Sequence, residues 1–408
     1  MQVQLIQPSR QIKLSSSASA YLGVAICLYT FIFTLDMLVL PFLYHSATSG
    51  DSLTSLDPTT LINYQGLGLI VASLLAYVWL SRIAWQFIIL VSGIVFILCL
   101  VLQGFFQEPT SLKTLVFIKG VAAGSIAALC FVSAGINQES LRLFACLPLG
   151  ALLAQVVQVA LSALYGWFGH LLQSTYLAWF LALFMLLSLS LIPTFKEPQQ
   201  ASSALNKFTA TNQRPFKLGL GLVLMLCWSL SIGLISMNTN LLVFANKMAQ
   251  GVPVQTWITW AQTSALLLDF LVIVLILGLG NTLRRFSIPL STYLVLLSCL
   301  LLLIGLYVLQ SNWISLIVVL SLFIQIASIF LKPQLLAQLA SLQVSFNYLN
   351  SLYLMTILSL PLSMYLQDKL KGEGTTAYLS LLLLSLGLLI AVGLIFLFGP
   401  TRAQQDQD

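Results

Sequence analysis

The sequence predicts an all-α polytopic membrane protein whose twelve transmembrane helices form two six-helix pseudo-repeats. Three observations carry that prediction. First, 59% of the 408 residues are hydrophobic and only 7% are charged, with a mean hydropathy of +1.00. Soluble domains carry about 25% charged residues, and a soluble fold could not bury so much apolar surface, whereas lipid covers it. Second, twelve windows come near the roughly 20 apolar residues that a spanning helix requires. Third, one long polar interruption divides those windows six and six.

The elements follow in chain order. The first 19 residues are polar and carry Arg10 and Lys13, so they read as a cytoplasmic tail; a cleaved signal would have a shorter apolar region. The spans of the first half are 20–43, 62–80, 86–106, 114–135, 144–167 and 174–193. Thr194–Lys217 holds two prolines and many Ser, Thr, Asn and Gln residues, the composition of a linker. The second half supplies 218–243, 256–280, 288–309, 312–331, 345–366 and 376–399. The expected organisation is an N-terminal half with its tail (1–193), a cytoplasmic linker (194–217) and a C-terminal half with its tail (218–408). Helices are expected because each span must satisfy its own backbone in lipid, and barrel strands would alternate in polarity.

Lysine and arginine orient the bundle. With the N-terminus inside, twelve fall on the cytoplasmic side, among them Arg10, Lys13, Arg82, Arg142, Lys196, Arg284, Arg285 and Lys332. Four (Lys113, Lys247, Lys369 and Lys371) fall outside, and Lys119 lies within the membrane. The positive-inside rule then puts both termini in the cytoplasm. The net charge of +6 follows from this bias and calls for no nucleic-acid partner. A plasma membrane or bacterial inner membrane is the expected location.

Catalytic and metal chemistry find no support in the sequence. Cys27, Cys99, Cys130, Cys146, Cys227 and Cys299 all lie in predicted spans, without CxxC or His-containing clusters. Neither a disulfide framework nor a metal site is implied. There is no phosphate loop, paired-carboxylate site or nucleophile–base constellation, so no enzyme activity and no cofactor are expected. His45 and His170 fall in predicted outer loops.

Charges inside the spans say more. Asp36 lies in the apolar stretch Tyr21–Leu43, and Lys119 lies in Leu115–Gly135. A charge in hydrocarbon costs about 2.5–3.5 kcal/mol even on insertion scales, so each marks a functional site by default. Helix 1 runs inside to outside and helix 4 the reverse. At about 1.5 Å per residue, both charges lie roughly 10 Å below the outer ends of their helices. Opposite charges at matched depth can pair, which lowers the cost of each. Burial drives a carboxylate toward its neutral form while a nearby ammonium holds it charged, so a breakable pair could couple transport to a proton gradient.

Other polar residues are weaker candidates for a substrate cavity. Asp269 and Gln262, seven residues apart in helix 8, share a face. Gln155 and Gln158 in helix 5, and Asn347 and Asn350 in helix 11, are each three apart; such residues also serve as interhelical glue. Asn238, Asn240, Trp228, Trp257 and Trp260 offer polar or stacking contacts near helix ends. Tyr29, one heptad from Asp36, is the expected aromatic cavity residue.

Over nearly its whole length the chain resembles the major facilitator superfamily: twelve spans, a six-plus-six split, both termini inside and traces of paired turn motifs. Where that family has approximately GxLxDRxGRR after helix 2, Tyr77–Gln86 reads YVWLSRIAWQ, keeping Arg82 but with Ser81 at the acid and Ala84 at a glycine. The equivalent turn of the second half, Gly280–Ser287, reads GNTLRRFS and supplies Arg284 and Arg285. The stretch Leu35–Leu43, LDMLVLPFL, looks like the acid-then-proline first helix of proton-coupled drug exporters, with Lys119 the nearest match to their basic residue in helix 4. Their helix-5 signature, GxxxGPxxGG, is missing; the chain has PLGALLAQVVQVALSAL from Pro148.

The resemblance implies a secondary transporter that alternates access, monomeric, with helices 1 and 4 lining its cavity. Its expected partners are a small organic substrate, the bilayer and a proton gradient. Export of an amphipathic or cationic compound or a metabolite is the first expectation. Import of an amino acid, vitamin or siderophore is the second, and a transport-inactive receptor or scaffold the third.

Overall fold

The computed structural model describes residues 16–45, 58–103, 105, 108–168, 174–195 and 345–370, with scattered positions between 218 and 278 and between 332 and 340. The chain divides into two compact units. One takes Met1–Leu218, Ile273–Gly280 and Pro333–Ile357; the other takes Gly219–Val272, Asn281–Lys332 and Leu358–Asp408. Most described residues belong to the first unit. The linker from residue 196 onward lies outside the described residues.

The described residues are almost entirely helical, as hydropathy predicts. Helices α1 (Ser16–His45), α2 (Pro58–Trp79), α3 (Trp85–Gln103), α4 (Pro109–Ile136), α5 (Ser140–Phe168) and α6 (Ser174–Ser188) correspond to the six predicted spans of the first half. A 3-10 turn, Leu189–Thr194, continues α6, and α7 (Phe346–Leu370) covers the predicted eleventh span. Several ends run past the apolar windows. Helix α4 starts at Pro109 rather than near 114, because proline at a first-turn position has no N–H to leave unpaired. Helix α1 extends to His45, which is therefore helical rather than in a loop. Five of these helices are long and apolar enough to cross a membrane; with the composition, this makes the chain a multi-pass membrane protein.

Burial ranks the helices. Of its most apolar window, α4 buries 72% and α3 only 33%, so α4 runs through the middle of the first unit and α3 along its edge. Phe87, Leu90, Ile94 and Leu98 of α3 are exposed, an apolar face suited to lipid. The centre is small-residue and aromatic: Ala122, Ala123, Ala128 and Ala134 of α4 are buried, and Phe131 meets Phe144 of α5 edge-on at 5.1 Å. Pro148 sits inside α5 without ending it. Such prolines are tolerated in spanning helices, where neighbours take up the freed carbonyl.

Close helix approach depends on glycine. On α4, Gly120 and Gly124 form a GxxxG stripe against Gly68 and Ala72 of α2. A Cβ on Gly120 would overlap the Gln65 carbonyl, and one on Gly124 would stand 2.7 Å from Ala72 Cβ. Absent those side chains, the two backbones touch, which maximises dispersion contacts where no hydrophobic force drives association. Gly150 plays the same part for α5, its missing Cβ leaving room for the α1 backbone at Cys27 and Phe31.

Candidate functional site

The α2–α4 glycine seam builds a buried polar cluster. Lys119 immediately precedes Gly120, and Gln65 lies three residues before Gly68, so the seam sets the Gln65 side chain beside the lysine. Asp36 arrives from α1 and Gln103 from the last residue of α3. Lys119 Nζ donates to Asp36 Oδ1 at 2.7 Å and to Gln103 Oε1 at 3.2 Å. Gln65 Nε2 donates to Asp36 Oδ2 at 2.8 Å. Asp36 and Lys119 are both 0% exposed, and Gln65 is 1% exposed.

This geometry explains how the pair survives burial. Two charges removed from water repay their desolvation only if the remaining donors and acceptors are also met. Here each carboxylate oxygen receives a bond, and the ammonium has a second acceptor. Leu61, Leu112 and Val116 form a buried apolar cluster about one turn from Gln65 and Lys119, toward the start of α2 and α4. Such a dry wall strengthens the interactions beside it.

Two polar atoms of the cluster are left over. Gln65 Oε1 and Gln103 Nε2 are buried without a hydrogen-bond partner among the described residues. Neither glutamine stands out in sequence by charge. The signal that could have found Gln65 is the paired small-residue spacing, Gly68–Ala72 against Gly120–Gly124, which marks a close helix contact one turn away.

The other sequence candidates have different settings. Tyr29 is fully buried, its hydroxyl donating to the Ser188 carbonyl at 3.0 Å and its ring packed on Phe33 and Phe195. It is enclosed against α6 rather than presented to an open cavity. The reason is local: α6 tightens into the 3-10 turn there, freeing carbonyls that a buried phenol can use. Asn350 is buried and donates to the Ser73 carbonyl of α2 at 2.8 Å, while Asn347 is exposed. Next to it, Tyr77 and Ser351 hydroxyls lie 2.7 Å apart. Gln155 and Gln158 are half-buried on α5.

Arg82 is exposed in the α2–α3 turn, which is held by Trp85 Nε1 donating to the Leu80 carbonyl at 3.0 Å. Asp269, Gln262, Arg284, Arg285, Asn238, Asn240, Trp228, Trp257, Trp260 and His170 lie outside the described residues. Cys27, Cys99, Cys130 and Cys146 are free thiols within helices.

Solved structures share this architecture. The proton:xylose symporter XylE, a major facilitator superfamily protein, superimposes with a TM-score of 0.70, covering 95% of this chain and 97% of that one at 14% identity. The fold is that of the major facilitator superfamily. The E. coli fucose:proton symporter FucP (TM-score 0.64, 17% identity, 92% and 97% coverage) has it too. So does the human organic anion transporter MFSD10 (TM-score 0.60, 16% identity, 91% and 98% coverage). No family model matches the sequence, and no curated protein matches it. Within this major-facilitator fold, the Asp36–Lys119 pair joins the first and fourth helices of the chain.

Proposed function

We propose that the chain is a proton-linked secondary transporter of a small organic solute, with Asp36 as the proton- or cation-binding group and Lys119 as its partner. The observation that carries this reading is the fully buried ion pair, with both carboxylate oxygens engaged. An ionisable pair in the apolar interior of a spanning bundle is costly to keep, and its usual use is a proton or ion relay. Protonating Asp36 would remove the charge that attracts Lys119, and weakening of that bond would let α1 and α4 change their packing. The resulting cycle is alternating access about a midplane site. In this reading both termini are cytoplasmic, and the turn bearing Arg82 faces the cytoplasm.

Two of the similar structures are proton symporters, which supports proton coupling and the second reading, in which solute and proton move the same way. The acid-then-proline first helix favours export. The two directions predict opposite responses. In proteoliposomes with an inward proton gradient, a symporting importer accumulates its solute together with entering protons, and an antiporting exporter expels it in exchange for them.

The deciding experiment is a thermal-shift screen of the purified protein against metabolites and amphipathic cations, on both sides of neutral pH, with Asp36→Asn beside the wild type. A ligand that binds the native state raises the melting temperature by mass action. The expected result is a stabilising solute whose effect depends on pH in the wild type and not in Asp36→Asn. Stabilisation indifferent to both pH and the mutation would reduce the pair to a helix clamp.

A further inference from the structure

We propose that the side-chain amide of Gln65 is a positioning group for the proton site, matched to both forms of Asp36, and that Gln103 is the acceptor that keeps Lys119 when Asp36 is neutral. This rests on the proton-linked reading of Asp36 given above. Each glutamine touches the pair with one amide atom and leaves the other buried and unpartnered among the described residues. Those atoms are an acceptor, Gln65 Oε1, and a donor, Gln103 Nε2.

Donors and acceptors decide the assignment. With Asp36 charged, Oδ2 accepts from Gln65 Nε2 at 2.8 Å and Oδ1 accepts from Lys119. Adding one proton from the aqueous phase to Oδ2 turns that oxygen into a donor, and a donor facing the Gln65 NH2 would be unsatisfied. A carboxamide offers a donor and an acceptor on one planar group. Turning the Gln65 amide end for end puts Oε1 where Nε2 stood, so the new acid O–H finds an acceptor at the same place. Only hydrogen bonds change in this step, and the spare acceptor is already present. Lys119 meanwhile loses its anion and keeps only the weaker carbonyl acceptor Oδ1, so Gln103 Oε1, 3.2 Å away, takes a larger share in holding it. A leucine or methionine at 65 would serve the packing but neither form of the acid.

The groups facing Asp36 can be named element by element. Helix α4 brings Lys119, α2 brings Gln65, and α3 brings Gln103 by way of Lys119 together with the nearby thiol of Cys99. On α1 itself, Tyr29 is engaged with the Ser188 carbonyl of α6. Helix α5 reaches α1 with Cys146 beside Gly23 and with the Glu139–Arg142 pair beside Ser19, more than three turns away.

The test is pH-difference infrared spectroscopy of the full chain in lipid nanodiscs. The band of protonated Asp36 is assigned by its loss in Asp36→Asn. In the wild type it should lie where a hydrogen-bonded carboxylic acid absorbs, and Gln65→Met should move it up to the position of a free one. A second measurement does not depend on that variant. Gln103→Met should lower the melting temperature by roughly 2 °C more in the Asp36→Asn background than in the wild type, because the neutral amide is a weaker acceptor than the carboxylate it replaces and Lys119 then depends more on Gln103.

A band unmoved by Gln65→Met, or losses that simply add, would overturn the two-state role of the amides and leave proton binding at Asp36 intact. Absence of any protonated Asp36 band across the pH range where the protein stays folded would instead sink the proton-linked reading, and this inference with it.

Discussion

Replacing Lys119 by methionine would strand the Asp36 carboxylate in a fully buried site with only the Gln65 amide for support. Breaking a buried pair from one side costs about 3–5 kcal/mol, much of it for the uncompensated charge left behind. The double variant Asp36→Asn/Lys119→Met removes both charges and should be distinctly less destabilised than the sum of the two single changes. Thermal unfolding of the four proteins in detergent measures this cycle, and additive losses would show that the pair is not energetically coupled. Tyr29 makes a contrasting case. Its hydroxyl bond to Ser188 is a single neutral one, so Tyr29→Phe should cost about 1 kcal/mol in the same assay. Solute binding in the thermal-shift screen should be unchanged, and a lost response would restore Tyr29 to the substrate site.

Among the elements, the α2–α4 contact is the one that places the chemistry. Gly120→Ala adds a methyl group where the Gln65 carbonyl already lies. The seam must then open, at a cost of about 1–3 kcal/mol for overpacking, and Gln65 must shift relative to Lys119. Gly66→Ala is the internal control. Its Cβ would meet nothing within 4 Å, and alanine is the better helix former by about 0.5–1 kcal/mol, so this change should be neutral or stabilising. Paired melting curves decide the matter: equal effects at the two positions would mean that the glycines matter for backbone propensity and not for close approach.

For the molecule as a whole, topology is set by charge. Twelve lysines and arginines on the expected cytoplasmic side against four on the other predict, for an even number of spans, that both ends lie inside. Reporter fusions to each end should therefore both show the cytoplasmic signature, whatever solute is carried. A split result would require an odd number of crossings, and an N-terminus found outside would reverse which end of α4 faces outward, and with it the side from which a proton reaches Asp36. The contacts of Ser73 with Asn350 and of Tyr77 with Ser351 join α2 to the segment Phe346–Ile357 within one compact unit. Hydropathy alone assigns Asn350 no neighbour.

What the amino-acid order determined by itself is the class of fold, the approximate position of each described helix and the two buried charges that pair. Lipid makes those features local: a spanning helix satisfies its own backbone, so twenty apolar residues in a row identify it, and an ion among them stands out against the solvent it must avoid. The match in depth of Asp36 and Lys119 was legible for the same reason, since helix rise converts residue number into depth. The sequence did not reveal the rest of the site. Gln65 and Gln103 are uncharged residues of ordinary kind, and Tyr29 shares a helix face with Asp36 by spacing while its hydroxyl turns to α6. Which neighbour each of them meets depends on which helices touch and how closely. That was decided by the packing of Gly120 and Gly124 against α2 and by the tightening of α6 at Ser188, both of which are properties of two elements at once.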